Sequence, residues 1–341
     1  MSDHTVRPGS GSGAPAGGSA STRRRRWSRA AGTAVLASGL LLTVHPFVLP
    51  SSAATTSVST AAGSHASHKS APTPAATGKP PVVPTFSGPP PFAQYREIHA
   101  NCKVTHHLSD DPIVYPGLPG AAHNHTFAGS PTTNAKSTRS SLLAGGSSCQ
   151  DTKDKSAYWI PTLFQNGKVV DPTIVTTYYK SGVKDYRTVL PFPAGFRLIV
   201  GDMRTASAAD FKGNWTCGGN TYNTFPKSCP SGSSLIVRLK APSCWNGRDL
   251  DTADHKSHMA YPVSGVCPAS FPIPLPMLEI KVPYKLPGGK TDGLAYSSGA
   301  SYSFHYDFME AWAGNRQAEL VKHCINGGRQ CNGYGVDQHK P

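Results

Sequence analysis

Residues 195–202 read GFRLIVGD: five consecutive residues suited to a strand, closed on both sides by the glycine and aspartate that break one. The same pattern recurs in AYWIPTLF (157–164), IVTTYYK (174–180), SSLIVRLK (233–240) and MLEIKVPYKL (277–286). Clusters of Gly, Pro, Asn and Asp separate these runs. A single segment, about 308–325, has helical character: Trp312, Leu320, Val321 and Cys324 can share a face, although Gly314 interrupts it. Short strands without alternating helices predict a mainly β chain: an antiparallel β-sandwich or jelly-roll-like domain with long loops and a short C-terminal helix. No internal repeat is present.

Upstream, the sequence changes character twice. RRRRWSR (23–29) precedes a moderately apolar run and then SSAATT, the order of a secretory signal, so residues 1–54 are expected to form a signal peptide cleaved near Ala53 or Ala54. The arginine run admits either the general secretory or the twin-arginine route. The apolar run ends at His45-Pro46, short of the roughly 20 residues a membrane anchor needs. Residues 55–90, rich in Ser, Thr, Ala and Pro, have too few large apolar side chains to offset the entropy of ordering, and read as a disordered tether. The folded domain is assigned to 91–341.

All eight cysteines (Cys102, Cys149, Cys217, Cys229, Cys244, Cys267, Cys324 and Cys331) fall in that domain. An even set without a Cys-x-x-Cys pair predicts four disulfides in an oxidising compartment rather than a zinc ribbon. Roughly a hundred pairings are open to eight cysteines; proximity in sequence favours Cys217–Cys229, Cys244–Cys267 and Cys324–Cys331, leaving Cys102–Cys149. The net charge is +14, but eight of the 33 Lys and Arg precede residue 91 against one acid, Asp3. The domain's smaller excess is spread singly, which suits an acidic wall polymer as well as an ordinary secreted surface. It forms no basic patch interleaved with aromatics for nucleic acid. No phosphate-binding glycine loop or Gly-x-Ser-x-Gly elbow occurs, so nucleotide-dependent and serine-esterase chemistry are set aside.

Five segments occur in a characteristic order: HNHTFAGS (123–130), AYWIPTLF (157–164), FPAGFRLIVGD (192–202), SCWNGRDLDTADHKSHMAYP (243–262) and FHYDFMEAW (304–312). Together they resemble the secreted family DUF1996 of fungi and bacteria, over nearly all of residues 95–325. The resemblance implies export and no established activity. The chain departs from the family pattern at Ala311, where a glycine is usual before the Trp, and at Phe271-Pro272, where a His-Pro is common.

The histidines carry the functional reading. On an extended strand, residues i and i+2 share a face, so His123 pairs with His125, and His305 with Asp307. Two such pairs meeting across a sheet, with His258 or His255 completing the shell, can ligate a divalent metal ion; the metal set is His123, His125, His258 and His305. The competing reading has each imidazole bonded to a backbone carbonyl in a loop-rich core. Without metal, Asp254 or Asp307 can orient a histidine acting as general base, making His123, His125, Asp254, His258, His305 and Asp307 the candidate catalytic groups. Trp159, Tyr179 and Tyr261 are candidates for stacking on sugar rings, and Arg197 and Arg204 for binding acidic sugars. The expectation is a secreted, wall-associated monomer that cleaves extracellular or cell-wall polysaccharide as a glycoside hydrolase or polysaccharide lyase. The alternative is a non-catalytic wall-binding or adhesion module with structural histidines.

Overall fold

The computed structural model describes residues 75–76 and 78–339; the expected signal peptide and most of the tether lie outside them. Two sheets pack face to face. The larger has seven strands in the spatial order Asn220–Tyr222, Asn214–Cys217, Ser234–Lys240, Pro276–Lys285, Val175–Ser181, Glu97–Cys102 and Gln330–Cys331. The smaller has five, in the order Val104–Leu108, His125–Gly129, Ala157–Pro161, His305–Met309 and Arg197–Gly201. Every neighbouring pair is antiparallel except Glu97–Cys102 with Gln330–Cys331. The chain is thus the mainly β, antiparallel sandwich that its short runs predict.

Period-two alternation builds the core between the sheets. Leu278, Ile280, Val282 and Tyr284 point inward from one strand of the large sheet, and Tyr158, Ile160, Leu198, Val200, Tyr306 and Phe308 face them from the small one. Phenol groups join the two layers where the core would otherwise strand a polar atom. Tyr158 and Tyr179 hydroxyls lie 2.6 Å apart, Tyr158 also donates to buried Asp154 at 2.8 Å, and Tyr306 donates to the Leu278 carbonyl. Glu279 is buried on the large sheet's outer face, held by Lys180 and Arg238, each at 3.1 Å.

The disulfides are Cys102–Cys149, Cys217–Cys229, Cys244–Cys267 and Cys324–Cys331, the pairing that sequence proximity favours. Four disulfides fit a protein of an oxidising, extracellular setting. No helix among the described residues is long and apolar enough to cross a membrane.

Two expectations need correction. Phe308 and Met309 belong to a strand paired on both sides, and the C-terminal helix begins only at Arg316, continuing as a π-turn over Val321–Ile325. Gly314, at φ 59°, separates strand from helix. The last part of the tether is not free of the domain: Ala76 N–H donates to the Arg248 carbonyl, Arg187 donates to the Gly88 carbonyl, and Phe86 lies under the Arg187 guanidinium at 4.6 Å.

Candidate metal centre

The three central strands of the small sheet are buried on both faces, which is unusual for a sandwich and locates the site. Its outer face carries His125, Phe127, Trp159, His305, Asp307 and Met309, covered by the 109–124 loop and the short helix Arg139–Ala144. Phe127, Trp159, Met309, Ile113 and Leu142 form a separate apolar cluster there. The cluster is a dry floor beside three histidines.

Each strand supplies its residues by alternation, as the sequence pattern requires. His305 and Asp307 project together, and Asp307 is in register with Trp159, which in turn pairs with Phe127. His123 precedes the strand that begins at His125. The His123 and His125 ring centres lie 4.2 Å apart, His123 and His305 5.1 Å, and His125 and His305 6.0 Å.

The hydrogen bonds fix which nitrogens face inward. His125 Nδ1 lies 2.9 Å from the Asp110 carbonyl and His305 Nδ1 2.9 Å from the Ser303 carbonyl. A carbonyl only accepts, so both Nδ1 atoms carry the proton and both Nε2 atoms are bare when the rings are neutral. His123 Nε2 and His125 Nε2 are buried without partners, as are both carboxylate oxygens of Asp307. Asp307 Oδ2 lies 3.9 Å from His305 Nε2.

The covering loop is held by its own acids. Asp110 accepts from Gly120 N–H at 2.8 Å and Ala135 N–H at 2.9 Å. One Asp111 oxygen accepts from Ile113 and Val114 N–H, both at 2.8 Å. Asp110 thereby positions the carbonyl that orients His125, and Asp111 stands against His125 and Asp307 as a further carboxylate.

Electrostatics reinforce this geometry. Burial, then the neighbouring imidazoles, pushes His123, His125 and His305 down to about 3. Burial, then Asp111, holds the Asp307 carboxyl well above the usual carboxylate range. Burial likewise raises Asp111 to about 6, although its backbone hydrogen bonds oppose the rise. Neutral imidazoles with inward lone pairs and an acid lacking any partner are what a cation satisfies. The donor atoms of His123, His125 and His305 lie within 4.8 Å of one another. Ligands about 2.0–2.2 Å from a shared ion are at most about 4.4 Å apart, so small side-chain movements close the shell.

The remaining candidates lie elsewhere. His258 is fully buried on Phe196, with Nε2 donating to the Arg197 carbonyl at 2.8 Å and Nδ1 3.1 Å from Thr252 Oγ1; it belongs to none of the donor groups among the described residues, and its assignment as ligand or catalytic group is corrected to a structural one. Asp254 accepts from Thr252, Lys256 and Ser257 and forms a turn. Burial raises its carboxyl, but these bonds outweigh burial and hold it below the usual range. Trp159 and Tyr179 are fully buried, the first on the site floor and the second between the sheets, so neither can stack on a sugar. Arg197 faces Asp251 at 3.9 Å, and Arg204 is exposed beside Asp202.

Tyr261 is 54% exposed, and its hydroxyl donates to the Lys240 carbonyl, which fixes the ring. It lines a cleft of about 370 Å³ with Asp202, Asp210, Phe211 and Lys212. The cleft reaches Gly201, the register partner of His305. Asp110 and Asp111 were not singled out from the sequence; adjacent acids at the head of a Pro-containing loop before HNH are the signal that marks them.

The family described as "Domain of unknown function (DUF1996)" matches residues 111–312, from Asp111 of the covering loop to Trp312. No curated protein and no solved structure matches the chain. That match takes in more than half of the chain and the whole histidine cluster, and the protein belongs to the DUF1996 family.

Proposed function

We infer that this protein is an exported metalloenzyme in which His123, His125, His305 and Asp307 hold one divalent cation beside a cleft that binds polysaccharide. The observation that carries the reading is the set of buried, unpartnered donors, the Nε2 atoms of His123 and His125 and both oxygens of Asp307, in two donor groups, His123/His125/His305 and Asp111/His125/Asp307, that share His125. Leaving such groups unsatisfied costs about 1–3 kcal/mol each, so a fold that assembles several of them is built for a ligand. Three nitrogens and a carboxylate suit a transition-metal dication of the zinc class better than calcium or magnesium. Such an ion supplies Lewis-acid polarisation when bound. The chain's own contribution is to fix two imidazoles through Asp110 and Ser303 and to keep water off the floor with Phe127 and Trp159.

A polysaccharide as substrate is supported by the Tyr261 cleft, where a ring fixed through its hydroxyl offers a stacking face next to the His305 strand. Lys212 in its lining, Lys256 on the Gly201 carbonyl and Arg204 beside Asp202 suit acidic sugars and a wall-associated setting. The test is metal content by mass spectrometry on the exported, disulfide-intact protein, with His123→Ala and His305→Ala alongside. The metal-loaded protein is then incubated with neutral and uronate polysaccharides while new reducing and unsaturated ends are measured. One metal per chain, lost in both variants, with metal-dependent cleavage supports the reading. Binding to polysaccharide without cleavage assigns the chain to a wall-binding module, and a metal-free folded protein removes the centre.

A further inference from the structure

The segment 250–256 runs along the free edge of the small sheet. Arg197 N–H donates to the Leu250 carbonyl, Ile199 N–H to the His255 carbonyl, and Lys256 Nζ to the Gly201 carbonyl. Ile199 and Gly201 are the register partners of Asp307 and His305. The segment therefore lies two strand spacings, about 10 Å, from the strand that carries the acid and imidazole of the centre.

Within it stands a second histidine arrangement. His255 Nδ1 lies 2.8 Å from Asp251 Oδ1. Asp251 is buried, accepts from Thr252 N–H at 2.8 Å and is faced by Arg197 at 3.9 Å. A carboxylate bound this way makes Nδ1 the protonated nitrogen and leaves Nε2 bare, and the His255 side chain remains 20% exposed. His255 also adopts φ 58°, a backbone conformation that costs a non-glycine residue about 1–3 kcal/mol and collects at functional sites. A buried acid orienting a partly exposed imidazole beside a cluster of ligands is the arrangement of a base and its positioning group.

We propose that Asp251 and His255 are the proton-transfer pair of the centre, a reading that rests on the cluster being a metal site. In hydrolysis, His255 Nε2 takes the proton of the attacking water as the new carbon–oxygen bond forms. The imidazolium is balanced by Asp251, and the same proton passes to the leaving glycosidic oxygen as its bond to carbon breaks. Atoms and charge balance without a further reactant. The charged groups around His255 are Asp251, Asp254 and Lys256 on its own segment and Arg197 on the neighbouring strand.

The test uses the full chain loaded with Co²⁺, its metal ratio measured by mass spectrometry and its visible spectrum followed from about pH 5 to 9. The wild type is expected to show an inflection that His255→Gln abolishes at an unchanged metal ratio. Asp251→Asn should alter that inflection at an unchanged metal ratio, because the carboxylate that holds His255 Nδ1 is gone. Asparagine tolerates the left-handed conformation, so His255→Asn repeats the test if the glutamine variant folds poorly. Identical titrations for wild type and His255 variants, each with one cobalt bound, overturn the proposal, since a structural histidine would change only stability. A chain that binds no cobalt removes the centre and the proposal with it; the metal ratio tells the two failures apart.

Discussion

His305 Nε2 and Asp307 Oδ2 stand 3.9 Å apart on one face of one strand, and neither Asp307 oxygen has a hydrogen-bond partner. With no cation present, burial and then Asp111 raise this carboxyl well above the usual carboxylate range. Its folded value is raised above the unfolded one, so the native state binds the extra proton, and stability is lost as pH rises above the ordinary carboxylate range. Asp307→Asn should therefore stabilise the metal-free protein at pH 7, by on the order of 1–3 kcal/mol. The gain should vanish near pH 4, and metal affinity should fall. Urea denaturation of both proteins at the two pH values checks this; a destabilised variant at pH 7 contradicts it.

The three histidines impose the opposite slope. Their folded values of about 3 lie below the roughly 6.5 of an unfolded chain. Unfolded imidazoles take up protons first, so their contribution is complete above about 6.5 and is lost as pH falls toward 3. Each histidine should remove on the order of 2 kcal/mol by pH 5. His125→Gln, measured metal-free, should lose less stability between pH 7 and pH 5 than the wild type does. Equal losses would show that His125 titrates normally.

Gly201 connects the cleft to the centre. It sits at φ 92°, and an added Cβ would lie 2.8 Å from the Phe304 carbonyl oxygen and 3.0 Å from His305 Cα. Gly201→Ala forces strain of about 1–3 kcal/mol at the residue paired with His305. The variant should unfold at lower urea and bind metal more weakly, as read by denaturation and by competition with a chelator. Unchanged metal affinity would show that His305 does not depend on this close approach.

The scaffold was legible because its signals are local. Runs such as GFRLIVGD carry β-propensity and their own turn residues, and closely spaced cysteines find each other. The pair His305/Asp307 was legible for the same reason, since strand periodicity alone puts both on one face; His123 lies just before its strand, and the loop leading into His125 brings those two rings together. What the sequence hides is long-range. His258 has the same local appearance as His305, but Thr252 and the Arg197 carbonyl occupy its nitrogens through contacts that only the folded chain makes. Trp159 and Tyr179 have the composition of a sugar platform, but a second sheet and a covering loop bury them. Asp111 joins the cluster only because its loop folds over the sheet.

Those contacts separate two histidines that resemble each other in sequence. His258→Gln removes a fully buried ring from its place against Phe196 and breaks the bond to the Arg197 carbonyl, so it should cost about 1–3 kcal/mol. No His258 nitrogen faces His123, His125 or His305, so the metal ratio should stay at that of the wild type. His125→Gln keeps much of the side-chain volume, loses the inward Nε2, and should lower the metal ratio instead. Measuring metal content and urea midpoint on the same preparations decides between the roles. If His258→Gln lost its metal while remaining folded, the ligand set would have to be redrawn around the 250–258 segment.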